Sequence, residues 1–300
     1  VGIVNASALL SLEQSQRTVA AVAGYLENLD AATQVVALAL LAELHSPFHG
    51  NGSNPAHPLL ESVRVTADGL HRYAAVHANR ELRGGSEHGF ALQMETLRQA
   101  GFAPADFNDG PDDPVIPAAR LRRGDRLFDI VGVKEWDNPG DWATSRISWL
   151  VRAGQWAYWH MNETGRVLLC RIAGACLTHR DHVTISLTLR LGRHLGFRSL
   201  SGMNGGRHSA SIGEILAEAG EHPAAADNGT YRRFNSVLFS LCNMGVLTEV
   251  TWPPQYRFDG FADCGDLAGW LDSRIKLRAM TVPKPREGQP PHRAFDQLKI

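Results

Sequence analysis

Residues 211–252 are punctuated in a way that leaves few structures open. Ser211 stands three residues before Glu214, the spacing of a reciprocal cap in which hydroxyl and carboxylate each satisfy an amide that a helix start leaves bare. A short helix is therefore predicted over 212–219, with Ser209 or Ser211 as its cap and Gly220 as its stop. The next helix is predicted over 228–244, closed by Gly245 at the position that favours left-handed backbone. Residues 246–252 and 255–258 then read as two strands joined at Pro253-Pro254.

Two helical stretches precede this set. Residues 163–178 carry helical periodicity, and 182–196 place Ile185, Leu187, Leu189, Leu191 and Leu195 along a second helical run. A glycine-rich loop at 202–206 separates that run from the punctuated region. Nearer the N-terminus the same order is legible with weaker signals. Helices are predicted over 6–29 and 31–45, the second with Val35, Leu38, Leu41 and Leu44 at helical spacing. A short extended piece at 62–65 leads to Thr66 as an N-cap for a helix through His77. A further helix is predicted over 86–100, ending at Gly101, and a strand over 126–133 after an Asp- and Pro-rich loop at 104–117.

At 300 residues the chain is long enough for two domains, and 44% hydrophobic with 20% charged content is that of a globular protein. The expected fold class is α+β, mainly α, with tandem winged-helix (helix-turn-helix) domains. The expected divisions are 1–133 for the N-terminal helices and first such domain, 134–160 for an interdomain segment, 161–285 for the second and 286–300 for a tail. The interdomain segment, expected to contain extended pieces, holds Trp136, Trp142, Trp149, Trp156 and Trp159, five of the seven tryptophans, whose rings are expected to bury area rather than stack on bases.

The net charge of -1, from 30 basic and 31 acidic residues, does not announce a polyanionic partner, but the distribution is uneven. Residues 1–60 carry only Arg17 as a base, whereas 160–210 hold Arg166, Arg171, Arg180, Arg190, Arg193, Arg198 and Arg207 against Glu163 and Asp181. Residues 120–126 and 274–286 are also basic. The four cysteines are scattered in apolar contexts, which suits reduced thiols in a cytoplasmic protein. No apolar run approaches the ~20 residues of a membrane span, and the first residues lack the positive start of a secretory signal.

The stretch 182–252, with Ile212-Gly213-Glu214-Ile215-Leu216-Ala217-Glu218-Ala219-Gly220, Tyr231-Arg232-Arg233-Phe234 and Gly245-Val246-Leu247-Thr248, resembles the replication initiators of plasmids and related mobile elements. Arg152-Ala153-Gly154-Gln155-Trp156 is similar to the glycine-tryptophan segment ahead of that domain in such proteins, and 274–285 to their closing extended tail. The resemblance covers roughly half the chain. It implies a double-stranded-DNA-binding protein that recognises origin repeats without catalysis. Host replication proteins are implied as partners, as is a homodimer, for which the apolar helices of 6–45 offer an interface.

In such a design a helix enters the major groove while surrounding polar side chains hold phosphates and fix register. Thr230, Tyr231, Arg232, Arg233, Asn235 and Ser236 lie at the start of the predicted recognition helix, where free amides and a partial positive charge would also meet phosphate. Arg232 or Arg233 suits guanine and Asn235 suits adenine. The glycine-rich loop reads either as a plain connector or as a phosphate-contacting loop, with Asn204, Arg207 and His208 as its polar members. The equivalent positions of the first domain are Arg80, Arg83, Ser86, His88 and Gln93.

No catalytic constellation emerges from the sequence. A His-x-His pair and a phosphate-binding Gly-x-x-x-x-Gly-Lys-Ser/Thr loop are both missing, and His179-Arg180-Asp181 lacks the context of a kinase loop. Cys170, Cys176, His179 and His182 do not have metal-ligand spacing, so neither metal nor other cofactor is expected. The alternatives are a transcriptional or partition regulator of the same fold, and a winged-helix module that contacts proteins instead of DNA.

Overall fold

A computed structural model describes residues 12–44, 59, 62–82, 87–102, 126–136, 145–201, 207–256 and 263–279. The chain is a mainly helical α+β protein with two small antiparallel sheets of three strands each.

The N-terminal helices are α1 (Leu12–Glu27) and α2 (Ala31–Glu43). Asp30 starts α2 by accepting the amides of Ala32 and Thr33, at 3.1 and 3.0 Å. Such a cap contributes about 1 kcal/mol. Nearly every residue of α2 is buried, including the polar Thr33, Gln34 and Glu43. Each has a partner: the Gln34 amide donates to Leu26 O, Thr33 bonds Gln93, and Glu43 accepts from Arg72 and Tyr73.

Strand β1 (Val63–Thr66) follows, buried and exposed in strict alternation. Thr66 caps the next turn as the sequence predicts, its hydroxyl accepting the Gly69 amide. The single helix expected through His77 is instead two short ones, α3 (Ala67–Leu70) and α4 (Ala74–Ala78). Helix α5 (Glu87–Gln99) comes next, then β2 (Phe128–Trp136) and β3 (Ser145–Ala153). The sheet order is β1-β3-β2, with Val65 opposite Trp149 and Val131 opposite Leu150. Residues 134–160, expected to link two domains, thus supply the end of β2 and the central strand of this sheet. Trp149 and Trp156 are core residues as expected, and the Trp156 indole N–H donates to Leu127 O at 3.0 Å.

After α6 (Trp156–Trp159) come α7 (Glu163–Cys176) and α8 (His182–Ser201). Gly192 and Gly196 let these two approach, because a Cβ at either would press on Ile172 or Leu168 at about 2.9 Å. Strand β4 (Arg207–Ser211), α9 (Ile212–Glu218) and α10 (Asn228–Asn243) follow, then β5 (Leu247–Thr251), α11 (Leu267–Asp272) and β6 (Arg274–Ala279). The second sheet has order β4-β6-β5. The two sets therefore share one plan of helix, strand, helices and two strands, in which the last strand becomes the middle of the sheet.

The reciprocal cap of Ser211 and Glu214 is formed, and Gly220 and Gly245 adopt positive φ of 79° and 70° at the two helix ends. Of the strand expected over 255–258, residues 255–256 are not extended, and 257–258 lie outside the described residues. Pro254–Tyr256 is a 3-10 turn, since neither Pro253 nor Pro254 has an amide for a ladder, and β6 pairs with β5 instead. A single cluster of buried side chains runs from Val19 to Leu277, with α1 and α2 packed on α7 and α8. Among the described residues no helix is long and apolar enough to cross a membrane.

One buried group makes this core sensitive to acid. His160 is 4% exposed, its carbonyl accepts the Thr18 hydroxyl at 2.9 Å, and burial lowers its imidazole pKa to about 4. The unfolded value is ~6.5, so the unfolded chain takes up this proton first as pH falls. Stability is then full above pH ~6.5 and declines towards pH 4. Urea melts between these pH values are expected to move to lower midpoints on acidification, with a shallower decline in His160→Gln. Equal slopes in both proteins would contradict the assignment.

Candidate nucleic-acid interface

Helix α10 sets a candidate surface through the phase of its residues. Phe234, Val237, Leu238 and Leu241 are buried, which turns positions 232, 236, 239 and 243 outward at helical spacing. Arg232, Phe239 and Asn243 are exposed and Ser236 is half-buried. Phe239 is 59% exposed, an unusual position for so large an apolar ring.

The start of α10 differs from the sequence expectation. Asp227 caps it, accepting the Thr230 amide at 2.7 Å and the Thr230 hydroxyl at 2.9 Å. These bonds hold the Asp227 carboxyl below its ordinary pKa. The helix end therefore already carries a carboxylate of its own, where free amides were expected to meet phosphate. The Asn228 side-chain oxygen accepts the Cys264 amide at 2.8 Å, which ties the residues before α11 to this end.

Three of the six polar positions expected to contact DNA point inward. Thr230 is buried against its cap. Tyr231 packs edge-on to Trp270 with centroids 5.2 Å apart. Asn235, expected to read adenine, is only 2% exposed, and among the described residues neither its amide oxygen nor its nitrogen has a hydrogen-bond partner. Arg232, Arg233 and Ser236 remain accessible. The Arg233 guanidinium donates to Thr230 Oγ1 at 3.3 Å. Arg232 donates to Asn228 O and lies 3.8 Å from Asp263, both side chains being more than half exposed. Such an exposed pair is weak, so Arg232 is available to a ligand.

The inward Asn235 has its own consequence. A buried amide without partners costs about 1–3 kcal/mol, and leucine keeps the same branched outline with two larger methyl groups in place of the amide oxygen and nitrogen. Asn235→Leu is expected to raise the urea midpoint, corresponding to about 1 kcal/mol after repacking losses. A lowered midpoint would show that the amide is satisfied in solution.

Asn204 and Arg83 lie outside the described residues, as does Ser86. Arg207 pairs through its backbone with Arg278 in the second sheet. Arg80 is exposed in the turn after α4. Gln93 is buried against Thr33. Helix α5, the counterpart of α10, turns Leu92, Thr96 and Gln99 outward, and its Arg98 is committed to Glu95 at 2.6 Å. Hydrogen bonds from Arg98 and then Gln99 hold the Glu95 carboxyl at about 2. A cleft of about 310 Å³ beside α5 and β2 is lined by Met94, Ile130 and Trp149, with that same ion pair at its edge. Val131 and Leu150 are exposed apolar residues on the outer face of the first sheet.

Cys170 and Cys176 are fully buried, and burial pushes both thiols up. Among the described residues no group of three or more His, Cys, Asp or Glu is placed to hold a metal.

Sequence reasoning missed Phe239 and Asn243, although their spacing from Arg232 and Ser236 follows the helical period. It also missed Arg274, Lys276 and Arg278 as a surface, noting that region as basic and as similar to a closing extended tail. No family model matches the chain, and comparison with curated proteins and with solved structures finds no match either.

Proposed function

We propose that this chain is a sequence-specific double-stranded-DNA-binding protein built on two winged-helix units, with α10 as its reading helix. The observation that carries this reading is the uncovered stripe Arg232–Ser236–Phe239–Asn243 on a helix whose opposite face is core. Helix, strand, helix, helix, strand, strand with the last strand central is the order expected of a winged helix; both units approximate it, the first with three helices between its strands and the second with α11 inserted between β5 and β6. The stripe offers a guanidinium for a guanine edge, hydroxyl and amide groups for polar edges, and an apolar ring for a thymine methyl. Within this reading a plasmid-type replication initiator is the preferred role, supported by the sequence resemblance of residues 182–252, and binding requires no catalysis.

The N-terminal unit favours a different use. Among the described residues α5 carries no uncommitted cation on its outer face, and Leu92, Val131 and Leu150 are exposed apolar groups. That surface suits contact with protein more than with phosphate.

The test is a titration of the whole chain against mixed-sequence duplex DNA at several salt concentrations. Affinity is expected to fall linearly on logarithmic axes, with a slope of about -0.9 for each phosphate neutralised. Absence of binding at low salt would overturn the proposal.

A further inference from the structure

The outer face of the second sheet carries a row of cations that the α10 stripe does not use. In β6, Ile275 and Leu277 are buried beneath α8, so the alternating Arg274, Lys276 and Arg278 point to the opposite side. At a strand rise of ~3.4 Å per residue these cations recur about every 7 Å. Their neighbours across the ladder are polar: Ser211 opposite Arg274, and Ser209 and Thr251 on either side of Lys276. Arg278 stands between the backbone positions of Arg207 and Glu249. Among the described residues neither Lys276 nor Arg278 has an ion-pair or side-chain hydrogen-bond partner, and Arg274 donates to Ser209 O at 3.2 Å.

Burying such a row against neutral protein would strand its charges, and no large apolar residue interrupts it. A regular polyanion is its natural complement. We propose that this sheet face is a second, sequence-independent contact for the phosphate backbone of nucleic acid, separate from α10. The inference rests on the DNA-binding reading above. Cations on a central strand approach a backbone as a ridge, with the Ser209 hydroxyl able to donate to a phosphate oxygen beside Lys276, while the Thr251 hydroxyl donates to Glu249 at 3.3 Å. Because the ridge lies on the sheet face turned away from the helices, a chain engaged through α10 can hold a second stretch of duplex, either looped or bent from the first.

The experiment compares wild type, Lys276→Gln/Arg278→Gln and the charge-retaining Lys276→Arg/Arg278→Lys in duplex titrations across salt. Circular dichroism checks folding of each variant. Removing two phosphate contacts should make the salt slope shallower by about 1.8, changing the affinity ratio to wild type about tenfold between 50 and 200 mM salt. The base preference of the bound DNA should be unchanged, and the charge-retaining pair should restore the wild-type slope. A folded glutamine pair with an unchanged slope overturns the inference alone, leaving the α10 reading in place. Failure of the wild type itself to bind duplex overturns both. Polyglutamate that binds as tightly as duplex at matched charge, and loses that binding in the glutamine pair, overturns the inference in favour of an acidic protein partner.

Discussion

Trp270→Ala is expected to lower the stability of the chain by about 3–5 kcal/mol, as truncating a buried aromatic does. Trp270 is fully buried and is the ring on which the N-terminal half of α10 leans. It meets Tyr231 edge-on at 5.2 Å and Phe234 at 5.7 Å, and Phe234 in turn meets Trp252 at 6.3 Å. It belongs to α11, held at its start by Asp266, which accepts the Gly269 amide at 2.9 Å and the Tyr256 hydroxyl at the same distance. Removing the ring empties the space between α11 and α10 and frees the inward face of α10. Urea denaturation should show a markedly lower midpoint. A loss below about 1 kcal/mol would mean that α11 is not part of the cooperative core.

The second large effect is on binding. Arg232→Ala should weaken binding to a preferred duplex about tenfold to a hundredfold, the range of about 1–3 kcal/mol for one base-reading side chain. Arg232 is the first cation of the outward stripe, and its contact with Asp263 is exposed and long at 3.8 Å, so little holds it back from a ligand. Stability should hardly change, which separates this variant from Trp270→Ala. An Arg232→Lys variant should regain the phosphate attraction without the planar fork that grips guanine. It should therefore recover non-specific affinity more than preference. A variant that binds as tightly as the wild type, with the same preference, would remove Arg232 from the reading.

Local chemistry was legible in the sequence wherever a few adjacent residues decide the outcome. The Ser211–Glu214 cap, the Thr66 cap and the left-handed Gly220 and Gly245 all depend on neighbours within a turn. Strand β6 was not legible, because its partner β5 ends more than 20 residues earlier and a helix is inserted between them. With no turn signal joining them, the aromatic residues after Pro254 looked like the better strand. The central place of β3 was hidden for a related reason: extended pieces are expected within 134–160, but residues 137–144 separate this one from β2, and nothing local marks it as the strand that pairs with both β1 and β2.

The errors at the candidate site come from grouping residues by type instead of by helical phase. Tyr231, Phe234, Asn235 and Leu238 share one face of α10, so an inward Phe234 and Leu238 carry Tyr231 and Asn235 with them. The same phase turns Phe239 and Asn243 outward. Neither was weighed, because an aromatic ring late in a helix reads as core. What the phase could not reveal was α11, whose Trp270 covers Tyr231 from a distant part of the chain.

The most direct test of the central claim is selection from a randomised duplex pool by the wild type and by Arg232→Ala/Ser236→Ala. The account predicts a recurring motif for the wild type, and for the variant a pool whose preference is lost at a few adjacent base pairs. An identical motif for both proteins, or no motif from the wild type at low salt, would contradict the assignment of base reading to the outward stripe of α10.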